Sequence, residues 1–244
     1  MQLAGKHSGP ATRGFLLGNH PAPAPYTYLG LDLGQRQDHS ALSVIDLAWT
    51  SLGRCAASYQ YLFLPVLTVR SVERYPLNIS YEEIPHIVRS RTQQIADRRR
   101  GSGMELVIDA GGPGAPMVDH LRRIAPSNLL VSPVFITAGK AVSRLAGGYT
   151  GVPRRVLITQ LVKMIAAGCL VCPASLPGMS TWRDEMLSLS GCGAHPEKTG
   201  SHDDLTLAIA LAAWAAVRRN PELAPDAASS LARNRLGQID WYLF

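Results

Sequence analysis

Cysteine, charge and aromatic rings are all in short supply in this chain. Four cysteines among 244 residues are too few for a disulfide-stapled scaffold. Stability must come from an apolar core, which a chain of this length can build. Charged residues make up only 17% and aromatic ones 7%, against 46% apolar. That excludes a solvated, disordered chain and fits one globular domain with short appendages. No apolar run approaches the roughly 18 residues of a membrane-spanning helix. The longest, Leu205 to Val217, is broken by Thr206 and reads as a buried helix. No basic segment followed by an apolar stretch opens the chain, so no secretory signal is visible. A cytoplasmic setting with reduced thiols is expected, and no membrane partner. Also missing are a G-x-x-x-x-G-K-S/T phosphate loop and any internal repeat. What is in excess is positive charge: 24 Lys and Arg against 18 Asp and Glu, a net charge of +6 and a pI near 9.4. That balance favours a polyanionic partner, of which nucleic acid is the commonest.

Residues 1–25 end in Pro21-Ala22-Pro23-Ala24-Pro25 and read as a flexible or polyproline-like arm. Strand-like runs follow at Tyr26–Gly34, Ala41–Trp49 and Cys55–Leu64, the third ending at Pro65. Ser80-Tyr81-Glu82-Glu83 has capping-box spacing and opens a helical stripe through Ile84, Ile87, Val88 and Ile95. Glu105–Asp109 is a short strand, Ala115–Ile124 a helix, and Leu129–Thr137 a strand. Helices are predicted over Arg155–Ala167, Thr181–Leu189 and His202–Arg218, with a brief strand at Leu170–Val171. Residues 220–244 form a tail, leaving 26–219 as the domain. Hairpin-linked strands followed by strand–helix units imply an α/β fold. The expectation is a central mixed five-stranded sheet flanked by helices on both faces, the element order of the RNase H-like fold.

Three segments place acids where metal chemistry can use them. Asp32 lies inside the apolar strand Leu29-Gly30-Leu31-Asp32-Leu33-Gly34, where a carboxylate is costly unless paired or metal-bound. Gly30 and Gly34 leave room for something to approach the backbone. Asp109 ends a strand before the turn Gly111-Gly112-Pro113-Gly114, at the sheet edge where ligands of open α/β folds bind. Asp203 and Asp204 open the Ala-rich helix, where acids complement the helix dipole. Taken singly, each acid has an ordinary alternative: a strand-end polar contact, a turn cap, a helix cap. Together they are what a carboxylate site for Mg²⁺ requires, and two ions about 3.5–4 Å apart suit phosphodiester hydrolysis.

These segments resemble the nuclease domain of phage terminase large subunits, in the RNase H-like superfamily. The matching pieces are Gly30–Gly34 with Asp38 and Ala41, Asp109–Gly114 with Val118–Arg122, and Val134–Gly139. Val152-Pro153-Arg154 leading into Leu157–Leu170, Trp182–Met186, and His202-Asp203-Asp204-Leu205 with Ala208–Ala212 complete them. The likeness spans roughly residues 26–217. It implies an endonuclease that cleaves double-stranded DNA in viral DNA packaging. Asp32, Asp109 and Asp204 would be its catalytic residues, holding two Mg²⁺ or Mn²⁺ ions with Asp203 as a neighbouring or alternative ligand. It also implies a terminase ATPase motor, small subunit or portal as partners. The absent phosphate loop departs from that family, whose large subunits carry a motor ahead of the nuclease. An excised nuclease domain or a stand-alone subunit is therefore expected.

Lys140, Arg144, Arg154 and Arg155 flank a Gly-rich stretch and are candidates for gripping the DNA backbone; a solvated surface is the alternative. Cys169-x-x-Cys172 and Cys192-x-x-His195 mimic zinc-ligand spacing, but positions three apart in a strand face opposite sides, so buried thiols are expected. His202 either supports the metal site or caps its helix. Three other functions compete with the terminase-like one: a Holliday-junction resolvase-like nuclease, a sugar kinase or actin-like ATP-binding protein sharing the Gly30–Gly34 pattern, and a non-catalytic DNA-binding remnant.

Overall fold

The computed structural model describes residues 15–17, 24–34, 38–54, 61–77, 79–99, 101–112, 114–191 and 203–224. Its strands are β1 (Phe15–Leu17), β2 (Tyr26–Asp32), β3 (Ala41–Arg54), β4 (Tyr61–Arg74), β5 (Gly103–Asp109), β6 (Leu129–Thr137), β7 (Ser143–Arg144), β8 (Thr150–Pro153) and β9 (Leu170–Val171). Its α-helices are α1 (Glu83–Arg98), α2 (Gly114–Ile124), α3 (Arg154–Ala166), α4 (Met179–Gly191) and α5 (Asp204–Arg219). All strands join one sheet in the order β1-β4-β3-β2-β5-β6-β8-β7, with β9 also on β4. The central five, β4-β3-β2-β5-β6, make the mixed sheet of an RNase H-like fold, antiparallel over β4-β3-β2 and parallel over β2-β5-β6. The expected five strands become nine because short segments add to both edges. One of these additions, β1, lies in the arm expected to be flexible, pairing Phe15 with Phe63.

Side-chain alternation sorts each strand between two apolar layers. Leu29, Leu31, Leu106 and Ile108 face α1 and α2, packing with Ile84, Val88, Val118 and Leu121. Tyr28 and Val107 face the other way, with Leu157 and Leu161 of α3, Trp182 of α4 and the buried length of α5. Helices therefore cover both faces, as the strand–helix alternation predicts. Among the described residues no helix is long and apolar enough to cross a membrane.

Helix α5 is buried nearly all round, from Leu205 to Ala216. Its small residues allow close approach to the sheet. A Cβ on Gly30 would lie 1.9 Å from the carbonyl oxygen of Ala208 and 2.9 Å from the amide of Ala212. Ser43 Oγ on β3 donates a 2.8 Å hydrogen bond to the same Ala208 carbonyl. What approaches the backbone at Gly30 is thus the helix that carries Asp204.

The third strand differs from its expected extent. β4 begins at Tyr61 and runs through Pro65, which pairs with Trp49. Proline lacks a donor and belongs where no neighbour needs one. On the side of β4 away from β3, β1 pairs with residues 61–63 and β9 with 67–68, so Pro65 falls in the gap between them. A β-bulge interrupts the β3–β4 ladder: Val44 pairs with Ser71 and Ile45 with Val69, leaving Arg70 over. Helix α1 starts at Glu83, later than Ser80. Half of the capping box survives, as the Ser80 amide donates to Glu83 Oε2 at 3.3 Å.

Candidate active site

Four parallel strands, β2, β5, β6 and β8, end at one edge of the sheet, and the candidate residues collect there. Leu31 of β2 pairs with Ile108 of β5. Asp32 and Asp109 are each the next residue, so they sit on neighbouring strands roughly 4.8 Å apart. Both follow residues that face α1 and α2, so by alternation both point toward α5. There Asp204 occupies the first turn of that helix and is buried. The three acids from separate segments are thereby brought to one place.

Burial raises the Asp32 carboxyl well above the usual carboxylate range, and the charges of Asp109, Asp204, Asp38 and Glu185 push it further the same way. Burial also raises Asp109, opposed by hydrogen bonds from two backbone amides. Gly111 donates to Asp109 Oδ1 at 3.0 Å and Ile136 at 3.4 Å. The glycine turn therefore serves Asp109 directly. A Cβ at Gly114 would meet the Asp109 carbonyl at 2.6 Å, so that turn admits nothing larger.

Glu185 is a member of this cluster to which the sequence reading gave no role. It is 6% exposed, and its Oε2 accepts 2.9 Å hydrogen bonds from the amide and the hydroxyl of Thr206. It thus satisfies an amide in the open first turn of α5, a capping role supplied from α4. Burial raises its pKa, with the Thr206 bonds and Arg74 opposing. Its sequence signal is a lone carboxylate on an apolar stripe, where Met179, Trp182 and Glu185 share one buried helix face. Arg74, at the end of β4, contacts Glu185 and brings its Nε to 3.6 Å from Asp204 Oδ2. Neither residue was among the sequence candidates.

The remaining candidates separate. Asp203 forms an ion pair with Arg154, so both are engaged with each other. Lys140, Arg144 and Arg155 are exposed. Arg155 Nη2 donates to the Lys140 carbonyl at 2.9 Å, tying the start of α3 to the loop after β6. These cations and Arg154 follow the ends of β6 and β8, on the same edge as the acids. Cys169 and Cys172 are half-buried, and burial pushes their thiols up to about 11 and about 12. Such thiols resist the deprotonation that zinc needs. Cys192, His195 and His202 lie outside the described residues.

The donors in the cluster among the described residues are carboxylate oxygens, which suit a hard divalent cation. Burial is the main cause of the raised Asp32 and Asp109 carboxyls, and a bound divalent ion would offset that cost. The carboxylates do not close into a cage: among the described residues no three His, Cys, Asp or Glu side chains converge tightly enough to hold one ion alone. Mg²⁺ tolerates that, since it keeps several waters and takes few protein ligands. The donor set therefore fits an open ion site.

No protein-family model and no curated protein matches the chain. Similar solved structures include the human cytomegalovirus terminase nuclease domain, manganese-soaked, at 11% identity and a TM-score of 0.49, covering 78% of this chain and 83% of that one. Another is Thermus thermophilus RuvC, at 13% identity and a TM-score of 0.37, covering 81% of this chain and 98% of that one. The same protein in complex with a Holliday junction substrate gives a TM-score of 0.34 at 13% identity, with the same coverage of both chains. At such identities the chemistry of the site rests on this chain's own side chains.

Proposed function

We propose that this chain is a metal-dependent endonuclease that cuts double-stranded DNA, of the kind that serves a terminase large subunit in viral DNA packaging. One observation carries the reading: Asp32, Asp109 and Asp204, from three separate segments, are brought to one sheet edge and two of them are held there at raised pKa. A buried like-charge cluster is a stability cost that a purely structural site would avoid. Asp32, Asp109 and Asp204 would hold Mg²⁺ or Mn²⁺. Asp203 would join them only if its pair with Arg154 opened. The ions would supply a nucleophilic water at neutral pH and stabilise the leaving oxygen.

The chain's own residues do the rest. The Gly111 and Ile136 amides fix the orientation of Asp109, and Glu185 holds the first turn of α5 so that Asp204 stays at the edge. Lys140, Arg144 and Arg155 would bind backbone phosphates, which position a duplex without reading its sequence. The ATPase motor, small subunit and portal of a packaging machine would be the partners of such a nuclease. The test is a plasmid-nicking assay with Mg²⁺ or Mn²⁺ against a chelator, alongside Asp32→Asn. Cleavage that needs the metal and disappears in the variant supports the reading; metal-independent cleavage, or an active variant, overturns it.

A further inference from the structure

The ladder places Arg74 in line with the acids. Asp32 pairs with Ala41, and Ala41 pairs with Arg74. Arg74, Ala41 and Asp32 therefore form one row across β4, β3 and β2, continued by Asp109 on β5. Ala41 is fully buried and small, so nothing bulky separates the guanidinium from the carboxylates. The bulge at Arg70 decides which side chain faces them. Val69 and Val72 both belong to the α5 layer, three positions apart where an unbroken strand would give two or four. Two residues past Val72, Arg74 faces α5. Glu73 turns to the opposite layer, where it pairs with Arg91 of α1.

Arg74 is also held in a particular way. Its Nη2 contacts Glu185. Its Nε is buried without a hydrogen bond among the described residues, facing Asp204 Oδ2 across 3.6 Å. One end of the guanidinium is anchored and the other is close enough for charge attraction alone, a contact that is easily given up.

We propose that Arg74 is the resident counter-cation of the carboxylate cluster. In the metal-free protein it bridges Glu185 and Asp204; when a divalent ion binds, it releases Asp204 and stays on Glu185. It is a positioning residue that competes with the metal for Asp204. The inference rests on the metal reading of the same site, and its consequence is an ion affinity set below what the carboxylates alone would give.

The measurement is NMR of the arginine Nε–H group of Arg74 and of the amides near the acids, titrated with Mg²⁺ without DNA. The expected result is that Mg²⁺ shifts the Asp32, Asp109 and Leu205 amides and, in step, moves the Arg74 Nε–H signal and speeds its exchange with water. Shifted amides with an unmoved Arg74 signal overturn this proposal and leave the metal reading standing. If no amide shifts, the metal reading fails and the proposal falls with it. Calorimetry with Mn²⁺ gives the second readout. Arg74→Met should bind Mn²⁺ about tenfold more tightly, equivalent to about 1.4 kcal/mol, and Arg74→Lys about as the parent does. Arg154→Met removes an equal charge from Asp203 and should change affinity less. Equal gains in the Arg74→Met and Arg154→Met variants would reduce the effect to net charge and refute the proposal. If Arg74→Met does not fold, the titration of the parent decides alone.

Discussion

Replacing Gly30 with alanine should damage both the fold and the site, because the added methyl group has nowhere to go. The new Cβ would sit 1.9 Å from the Ala208 carbonyl oxygen, about 1.5 Å inside the 3.4 Å at which ordinary contact begins. The obstacle is helix backbone, which cannot rotate aside as a side chain can. Alanine carries an intrinsic advantage over glycine in a strand of about 0.5–1 kcal/mol. Overpacking of a well-filled core costs about 1–3 kcal/mol, and a clash with backbone belongs at the upper end, so the variant should be destabilised. At roughly 2–4 °C per kcal/mol for a chain of this size, a fall in melting temperature of several degrees is expected. The functional effect should be larger. Relief requires α5 to lift from β2, and Asp204 travels with it; a displacement of about 1 Å can cost on the order of 10²-fold in rate. Thermal unfolding followed by circular dichroism and plasmid cleavage with Mn²⁺ measure the two effects. Gly139→Ala, whose Cβ would meet only the Thr137 hydroxyl oxygen at 3.4 Å, is the stability control. A Gly30→Ala protein with the parent's melting temperature and cleavage rate would refute the claim that this contact sets the position of Asp204.

Asp32→Asn should abolish cleavage, yet in a chelator it should unfold at higher denaturant than the parent at neutral pH. The pH dependence follows from the same shift. Unfolded Asp32 ionises near its ordinary value of 3.8, while in the folded protein it keeps its proton to higher pH. The folded state thus binds more protons in that window, and stability falls as pH rises through it. The stability difference between parent and Asp32→Asn, from urea midpoints in chelator, should therefore move against the parent with rising pH, and added Mg²⁺ should restore the parent; a flat difference would contradict the assignment. Replacing Arg154 and Arg155 together should weaken binding to all duplex sequences alike. It should also flatten the dependence of log affinity on log salt by about 0.9 per lost phosphate contact; an unchanged slope in fluorescence anisotropy would argue against backbone contacts. Cleavage should need metal and DNA but no nucleotide, so activity that appears only on adding ATP would point back to a kinase-like chain.

Much of the fold was legible because its signals are local. Asp109 at the end of an apolar strand, the Ala-rich stripe of α5 and the strand Leu129–Thr137 each declare themselves within a few residues. Of the added strands only Leu170–Val171 was legible; β1, β7 and β8, of two to four residues, are too short to carry a periodicity. The course of β4 through Pro65 was hidden for a related reason: a proline reads as a stop unless the neighbouring strands are known to leave its position unpaired. At the site, acids inside apolar runs stood out. Arg74 did not, because an arginine at a strand end looks like a solvated charge. Its row with Asp32 exists only after β3 has paired on both sides. Glu185 went without a role because its partner Thr206 lies on another helix, and no local pattern links them.

The bulge at Arg70 makes the electrical sign of one corner of the site depend on counting. Glu73 and Arg74 are adjacent and of opposite charge, and a single uncounted residue upstream selects which of them is presented to the acids. Were Arg70 drawn into the ladder, with no change of composition at all, every residue after it would alternate the other way, and Glu73 would turn toward Asp204 and Glu185, replacing an attraction with a repulsion. Deleting Arg70 would instead leave Val69 and Val72 two positions apart and Arg74 still facing α5. Most point substitutions on this strand can be absorbed one side chain at a time. The polarity of the whole corner is held by one residue staying out of the ladder, so the bulge is as much a part of the site's chemistry as the carboxylates themselves.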